Sequence, residues 1–312
     1  DALLHRAWAE MATHFHAPTR QWAGPQSRAY SSLNRDSTFA LIQRATAGRV
    51  NFGVDLPDRE DRRLPVACPR DLEPLFLTLD APRTIVQTLV RATNTIGTTY
   101  LAPGFALGTI NRGDLWNQRR ALLLHFGTAV APGYVRLRFL KDDYDFASAY
   151  LTTTQRAGLV VGAVNFVTNG GDTHISLAKV KDAKFRARDL RLRFEIGGPA
   201  AASARLDVAA SADRATLTAN NLSIHLDLVH ARLGGRAGTL TASQDQRLQM
   251  LDVVLHEGAE REFDLTALEQ AIVGFVFSCG PHGRTVSSVE GGSLAIACDG
   301  LSIAVPVKPA PR

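Results

Sequence analysis

The residues best placed to do chemistry sit in "LGTINRGDLWNQRR", positions 107–120. An apolar run enters this stretch and another, "ALLLHFG", leaves it. Between them Trp116 stands among seven polar or charged side chains: Asn111, Arg112, Asp114, Asn117, Gln118, Arg119 and Arg120. A tight hairpin needs only about two to five turn residues, so this set exceeds what reversing the chain requires. An indole can stack on a sugar face while amides and guanidinium groups hydrogen-bond hydroxyls or a carboxylate. Asn111, Arg112, Trp116, Asn117, Gln118 and Arg119 therefore form the candidate substrate-binding set. The competing structural role has Trp116 anchoring the loop and Asp114 pairing with Arg112 or Arg119.

Other constellations are sparser. "AGPQSRAY" sets Arg28 and Tyr30 two residues apart beside a Gly-Pro turn, and His14 and His16 precede the same break. A tyrosine or histidine can move a proton, and a neighbouring arginine can lower a phenol's pKa or clamp a carboxylate. The plainer alternative packs Tyr30 on a helix end, uses Arg28 as a carbonyl cap and leaves the histidines exposed. Asp172 and His174 follow "NGG", which is hairpin chemistry, though a base with its orienting carboxylate or two metal ligands would also fit. Asp142, Asp143 and Asp145 in "KDDYDF" are the carboxylates that glycoside hydrolysis would use. His225 and Asp227 share the polar face of one strand candidate, where solvation is expected. His256-Glu257 lacks the helical H-E-x-x-H pattern, and there is no G-x-S-x-G, phosphate loop or dinucleotide fingerprint. Cys68, Cys279 and Cys298 follow no metal-ligand spacing and read as buried thiols of a reducing compartment. No cofactor and no metal are expected.

The whole chain bounds these readings. It has 312 residues, enough for one large or two modest domains, with 45% hydrophobic and 21% charged residues. The net charge of +5 is carried by arginine, since lysine occurs only at 141, 179, 181, 184 and 308. Arginine favours an anionic partner, but abundant Ala and Arg with scarce Lys is also the imprint of a GC-rich genome. No block of like charge makes a nucleic-acid arm, and no run approaches the roughly 18 apolar residues of a membrane span. The opening "DALLHRAWAEMATHF" does not read as a signal peptide, and a first residue of Asp suggests a processed or truncated product. A cytoplasmic or periplasmic place is expected.

The elements that must position these residues fall into three stretches. Residues 1–50 read as helical, with Leu4, Trp8, Met11 and Phe15 on one face, a break at "HAPTRQWAGPQSRAYSS" and a second helix at "STFALIQRATAG". Residues 51–84 contain five prolines and read as an irregular connector. From 85 to 312 the period becomes two: Val135, Leu137 and Phe139 oppose Arg136 and Arg138, and Leu190, Leu192, Phe194 and Ile196 oppose Asp189, Arg191, Arg193 and Glu195. Further strands are expected at "TIVQTLVR", "GLVVGAVNFV", "ARLDVAA", "ATLTA", "LSIHLDLV", "QMLDVVLH", "GSLAIACD" and "LSIAVPVK". "DLTALEQAIVGF" is expected to form a short helix capped by Asp264 or Thr266. The predicted fold is mainly β, a large antiparallel β-sandwich preceded by a short helical segment.

This order, together with "AGPQSRAY" and "NRGDLWNQRR", resembles the polysaccharide lyases that join an α/α toroid to an antiparallel β super-sandwich, as in heparinase II/III-like and alginate-lyase-like proteins. The resemblance covers roughly residues 1–200, and it would make the helical segment the end of a toroid. It implies β-elimination from a uronate in an acidic oligo- or polysaccharide, chemistry that requires no metal, although some lyases of this shape hold one in the β half; neither nucleic acid nor membrane is an expected partner. Tyr30, Arg28 and His16 would be the catalytic group, and Asn111 or Gln118 would neutralise the uronate. Hydrolysis of the same substrate, and a non-catalytic glycan-binding module, are the alternatives.

Overall fold

The computed structural model describes residues 2–25, 35–53, 67–115, 120–170, 180 and 182–311. Two helices, Ala2–Thr13 and Arg35–Ala45, flank the short hairpin of β1 (Phe15–His16) and β2 (Gln21–Trp22). The strands continue as β3 (Arg83–Val90), β4 (Thr95–Ala102), β5 (Phe105–Ile110), β6 (Arg112–Asp114), β7 (Leu122–Gly127), β8 (Pro132–Lys141) and β9 (Tyr144–Asp145). Next come β10 (Ala149–Arg156), β11 (Leu159–Phe166), β12 (Lys184–Gly197), β13 (Arg205–Val208), β14 (Arg214–Ala219), β15 (Leu222–Leu233) and β16 (Arg236–Ala237). The last are β17 (Thr239–Gln244), β18 (Gln249–Asp264), β19 (Ala271–Cys279), β20 (Val286–Glu290), β21 (Ser293–Cys298) and β22 (Leu301–Pro306).

These make two large antiparallel sheets. A nine-stranded sheet runs β17-β18-β12-β8-β7-β5-β4-β3, with β9 on β8, and an eight-stranded sheet runs β13-β14-β15-β19-β11-β10-β6, with β16 on β15. Their facing sides share one core, in which Phe194 of the first sheet meets Phe275 and Phe277 of the second at 5.5 and 5.9 Å between ring centres. Alternation puts Val135, Leu137 and Phe139 into that core and turns Tyr134, Arg136 and Arg138 to the other side. The eight-stranded sheet is covered on its far side as well. Val161, Ala163, Ile272 and Val276 pack there against Leu294, Ile296, Cys298 and Val305 of the small β20-β21-β22 sheet. Burial on both faces explains why β11 and β19 read as unbroken apolar runs rather than alternating ones.

That double burial corrects one expectation. Residues 264–275 form no helix: Asp264 Oδ1 accepts from the Thr266 amide and hydroxyl, which closes a turn, and Ala271–Cys279 pairs between β11 and β15. The two expected N-terminal helices form, and the β1-β2 hairpin occupies the break between them; Phe15, expected on the first helix, belongs to β1 instead. Among the described residues there are two helices, of 12 and 11 residues, and no α/α toroid. In the connector, Glu73–Phe76 forms a 3-10 turn and residues 54–66 lie outside the described residues. No described helix is long and apolar enough to cross a membrane.

The N-terminal segment has its own small core. Phe15 is fully buried, ringed by Trp22, Phe39, Phe52 and Phe76 at 5.0–6.2 Å. Burying such a ring stabilises by about 2–3 kcal/mol, which clamps the hairpin. The segment lies on the nine-stranded sheet, where Ala23 packs on Leu101 and Ala106. Gly108 allows the contact: a Cβ there would stand 3.1 Å from Gly24 Cα and 3.1 Å from Pro25 Cδ.

Candidate functional site

The seam between this segment and the outer side of the nine-stranded sheet gathers two imidazoles, a phenol, a carboxylate and several arginines. In β7, Leu122, Leu124 and Phe126 enter the core, so Leu123 and His125 face outward. His125 pairs across the sheet with Tyr134, and Leu123 with Arg136. Arg136 in turn pairs with Glu195, and Tyr134 with Gly197. Directly opposed side chains in a sheet have Cβ atoms about 5 Å apart, so His125, Tyr134, Arg136 and Glu195 form one patch. Gly197 is required here, because a Cβ would lie 2.5 Å from the Tyr134 hydroxyl oxygen.

The electrostatics are those of a half-buried ion-pair row. The Tyr134 hydroxyl donates to Glu195 Oε1 at 3.1 Å, and Arg136 donates to both carboxylate oxygens at 2.7 and 3.0 Å. Arg138 bridges Glu195 (2.8 Å) to Asp145, which it holds through two bonds of 3.0 and 2.8 Å. Burial pushes the Glu195 carboxyl up, but the Arg136 and Arg138 guanidinium groups outweigh it and hold it below the usual carboxylate range. Burial and the Glu195 charge raise the Tyr134 phenol, which keeps it protonated. Arg120 reaches the same patch. Burial and the charge of Arg136 lower its pKa, Tyr134 and Glu195 oppose them, and its own charge acts on His125.

Two imidazoles meet in the seam. His125 is pushed down to about 3, chiefly by burial, then by the charges of His16 and Arg120. Hydrogen bonds to the Trp22 and Gly133 carbonyls pull the other way, although the approach to Nε2 falls outside strict hydrogen-bond geometry. His16 is pushed down to about 4 by burial and by Arg83, against a hydrogen bond to the Ala102 carbonyl. Its two ring nitrogens are engaged: Nε2 donates to Ala102 O at 2.8 Å, and Nδ1 accepts from the Thr19 hydroxyl at 2.7 Å.

The residues expected from sequence divide accordingly. His16 reaches the patch, with both ring nitrogens hydrogen-bonded to the hairpin and to β4. His14 and His16 are buried rather than exposed, because the segment docks on the sheet; His14 Nδ1 donates to Glu10 O at 2.9 Å. Asn111 sits where the chain crosses from β5 of one sheet to β6 of the other. Its side chain accepts from the Ile96 amide (2.8 Å) and donates to Asn94 O (3.0 Å), which fixes that crossing. Arg112 is exposed on β6, the edge strand of the eight-stranded sheet. Arg28, Tyr30, Trp116, Asn117, Gln118 and Arg119 lie outside the described residues, as do Asp172 and His174. Their chain neighbours Pro25 and Arg120 are on the seam, Pro25 lying 3.2 Å from a Cβ built on Gly97.

Other candidates have structural duties. Asp142 Oδ1 accepts from the Arg188 and Asp189 amides at 2.7 and 2.9 Å, and Asp145 is the buried partner of Arg138. Asp227 is buried rather than solvated, paired with Arg214 at 2.9 Å. The three cysteines are free thiols. No group of three or more His, Cys, Asp and Glu side chains among the described residues is arranged to hold a metal ion. His125, Tyr134, Arg120, Arg136 and Glu195 were not singled out by sequence as a site. The available signal was a histidine inside "ALLLHFG" and a Tyr-x-Arg-x-Arg face beginning "YVRLRFL".

No protein-family model matches the chain, and no curated protein matches it.

Proposed function

We propose that the chain acts on an acidic, uronate-containing oligo- or polysaccharide by β-elimination at the seam around His125 and Tyr134. The observation that carries this reading is a buried imidazole opposite a protonated tyrosine on one sheet face, with Arg136 and Arg120 beside them. Elimination removes the proton next to the sugar carboxylate, forms the ring double bond and breaks the bond to the leaving oxygen. That carbon acid is weak until the carboxylate is neutralised, and Arg120 with Arg136 supplies the positive charge. His125 Nε2 is the acceptor, and a carboxylate brought against the ring raises its basicity. Tyr134 is the donor to the leaving oxygen, kept protonated by Glu195. His16 holds the hairpin that walls the seam. The resemblance to toroid-and-sandwich polysaccharide lyases is part of this proposal.

The burial of His125 favours a second reading, in which the same face binds an acidic glycan without cleaving it. Incubation with a panel of polyuronates separates the two. Growth of the ultraviolet absorbance of an unsaturated uronate marks elimination, whereas retention on the glycan without new absorbance marks binding alone.

A further inference from the structure

Away from the seam, a cavity of about 390 Å³ opens where the β15-β16 turn meets the end of β18 and the turn that follows it. It lies within the roughly 300–1,000 Å³ of small-molecule sites. Leu233, Phe263 and Leu268 give it an apolar wall, and Arg236 and Arg261, both exposed, line it as well. Both arginines are held in place. Arg236 Nη1 donates to His256 Nδ1 at 3.3 Å, while His256 Nε2 donates to the Ala259 carbonyl at 3.2 Å. Arg261 lies over the Phe263 ring at 5.5 Å, and Phe263 stacks on Phe185 at 5.2 Å. Neither arginine has a carboxylate partner among the described residues. The acid on the wall, Glu269, pairs with Lys308 at 3.3 Å. The turn is tied to the opposite wall by the Gly234 amide, which donates to the Gln270 carbonyl at 2.7 Å, so the cavity is preformed.

We propose that this cavity binds a small organic anion, with its carboxylate or sulfonate between Arg236 and Arg261 and its apolar body against Leu233 and Leu268. Two arginines without a carboxylate partner at one apolar cavity leave positive charge without an internal counterpart, and a planar anion satisfies it bidentately. The site is independent of the elimination reading. Phe185, which pairs with Phe263, and Glu195 of the seam are ten residues apart on β12. Extended chain of that length spans roughly 30 Å.

Calorimetric titration with 2-naphthoate, against 2-naphthamide as its uncharged counterpart, tests the proposal. Saturable 1:1 binding of the acid is expected, with the amide at least tenfold weaker. Arg236→Gln and Arg261→Gln should each weaken the acid at least tenfold, and Ala267→Trp, which fills the cavity from its wall, should abolish binding, all with unchanged thermal unfolding. Absence of saturable 2-naphthoate binding to the unaltered chain would overturn the proposal. Equal affinity for the amide, or binding indifferent to both arginine substitutions, would do the same.

Discussion

Acidification should unfold this protein in a window set by its two buried imidazoles. Both His125 and His16 have folded pKa values below the ordinary 6.5, at about 3 and about 4. The unfolded chain therefore binds more protons than the folded one once the pH drops below 6.5. Stability is full above that value, falls through it, and stops falling from this cause only below the folded pKa values. At about pH 5 each imidazole removes about 2 kcal/mol relative to about pH 8, roughly 4 kcal/mol for the pair if they act independently. Because the charge of each opposes the other, the second proton is harder to add than this sum implies. A domain is stable by only about 5–15 kcal/mol, so the effect is large. Urea unfolding followed by tryptophan fluorescence at a series of pH values measures it directly. Replacing His125 with Gln should remove about half of the pH dependence. A stability that stays level to within about 1 kcal/mol between about pH 8 and pH 5 would refute the burial of neutral imidazoles in the seam.

Other outcomes follow from the same geometry. Glu195→Gln leaves Arg136 and Arg138 without their shared carboxylate and should destabilise by about 2–4 kcal/mol in urea unfolding. Gly197→Ala drives a Cβ to 2.5 Å from the Tyr134 hydroxyl oxygen; a loss of about 1–3 kcal/mol is expected, together with loss of any polyuronate cleavage. Asn111→Ala should cost about 1–2 kcal/mol through its two bonds to the β4 end, while leaving glycan affinity unchanged in a binding titration. Cys68 is pushed up to about 11 and Cys279 higher, mainly by burial. A thiol reagent at mildly alkaline pH should therefore modify neither until denaturant is added.

Much of the β half was legible because a strand open on one side writes its two faces as alternation. Leu137 and Phe139 against Arg136 and Arg138, and Phe194 against Glu195, place themselves without knowledge of their neighbours. Ala271–Cys279 was misread because a strand covered on both sides loses that alternation, and the Asp264 turn before it mimics a helix cap. The patch was harder for another reason. Its members come from the 120 position, β7, β8 and β12, and only the strand order β12-β8-β7 brings them together. His16 stands out in the sequence for its chemistry, and only the structure shows its ring bonded between Thr19 and the Ala102 carbonyl. Asn111 likewise has the composition of a sugar ligand and the bonding of a crossover clamp.

The measurement closest to the central claim is product formation from a panel of polyuronates by the full chain, followed as the absorbance of the unsaturated uronate. His125→Gln and Tyr134→Phe would run beside it, each first shown to be folded at neutral pH. Product is expected with the unaltered chain, with loss of at least about a hundredfold in rate with either substitution and glycan affinity that survives both. Absence of product from every polyuronate, or product that persists undiminished in both variants, would contradict that claim.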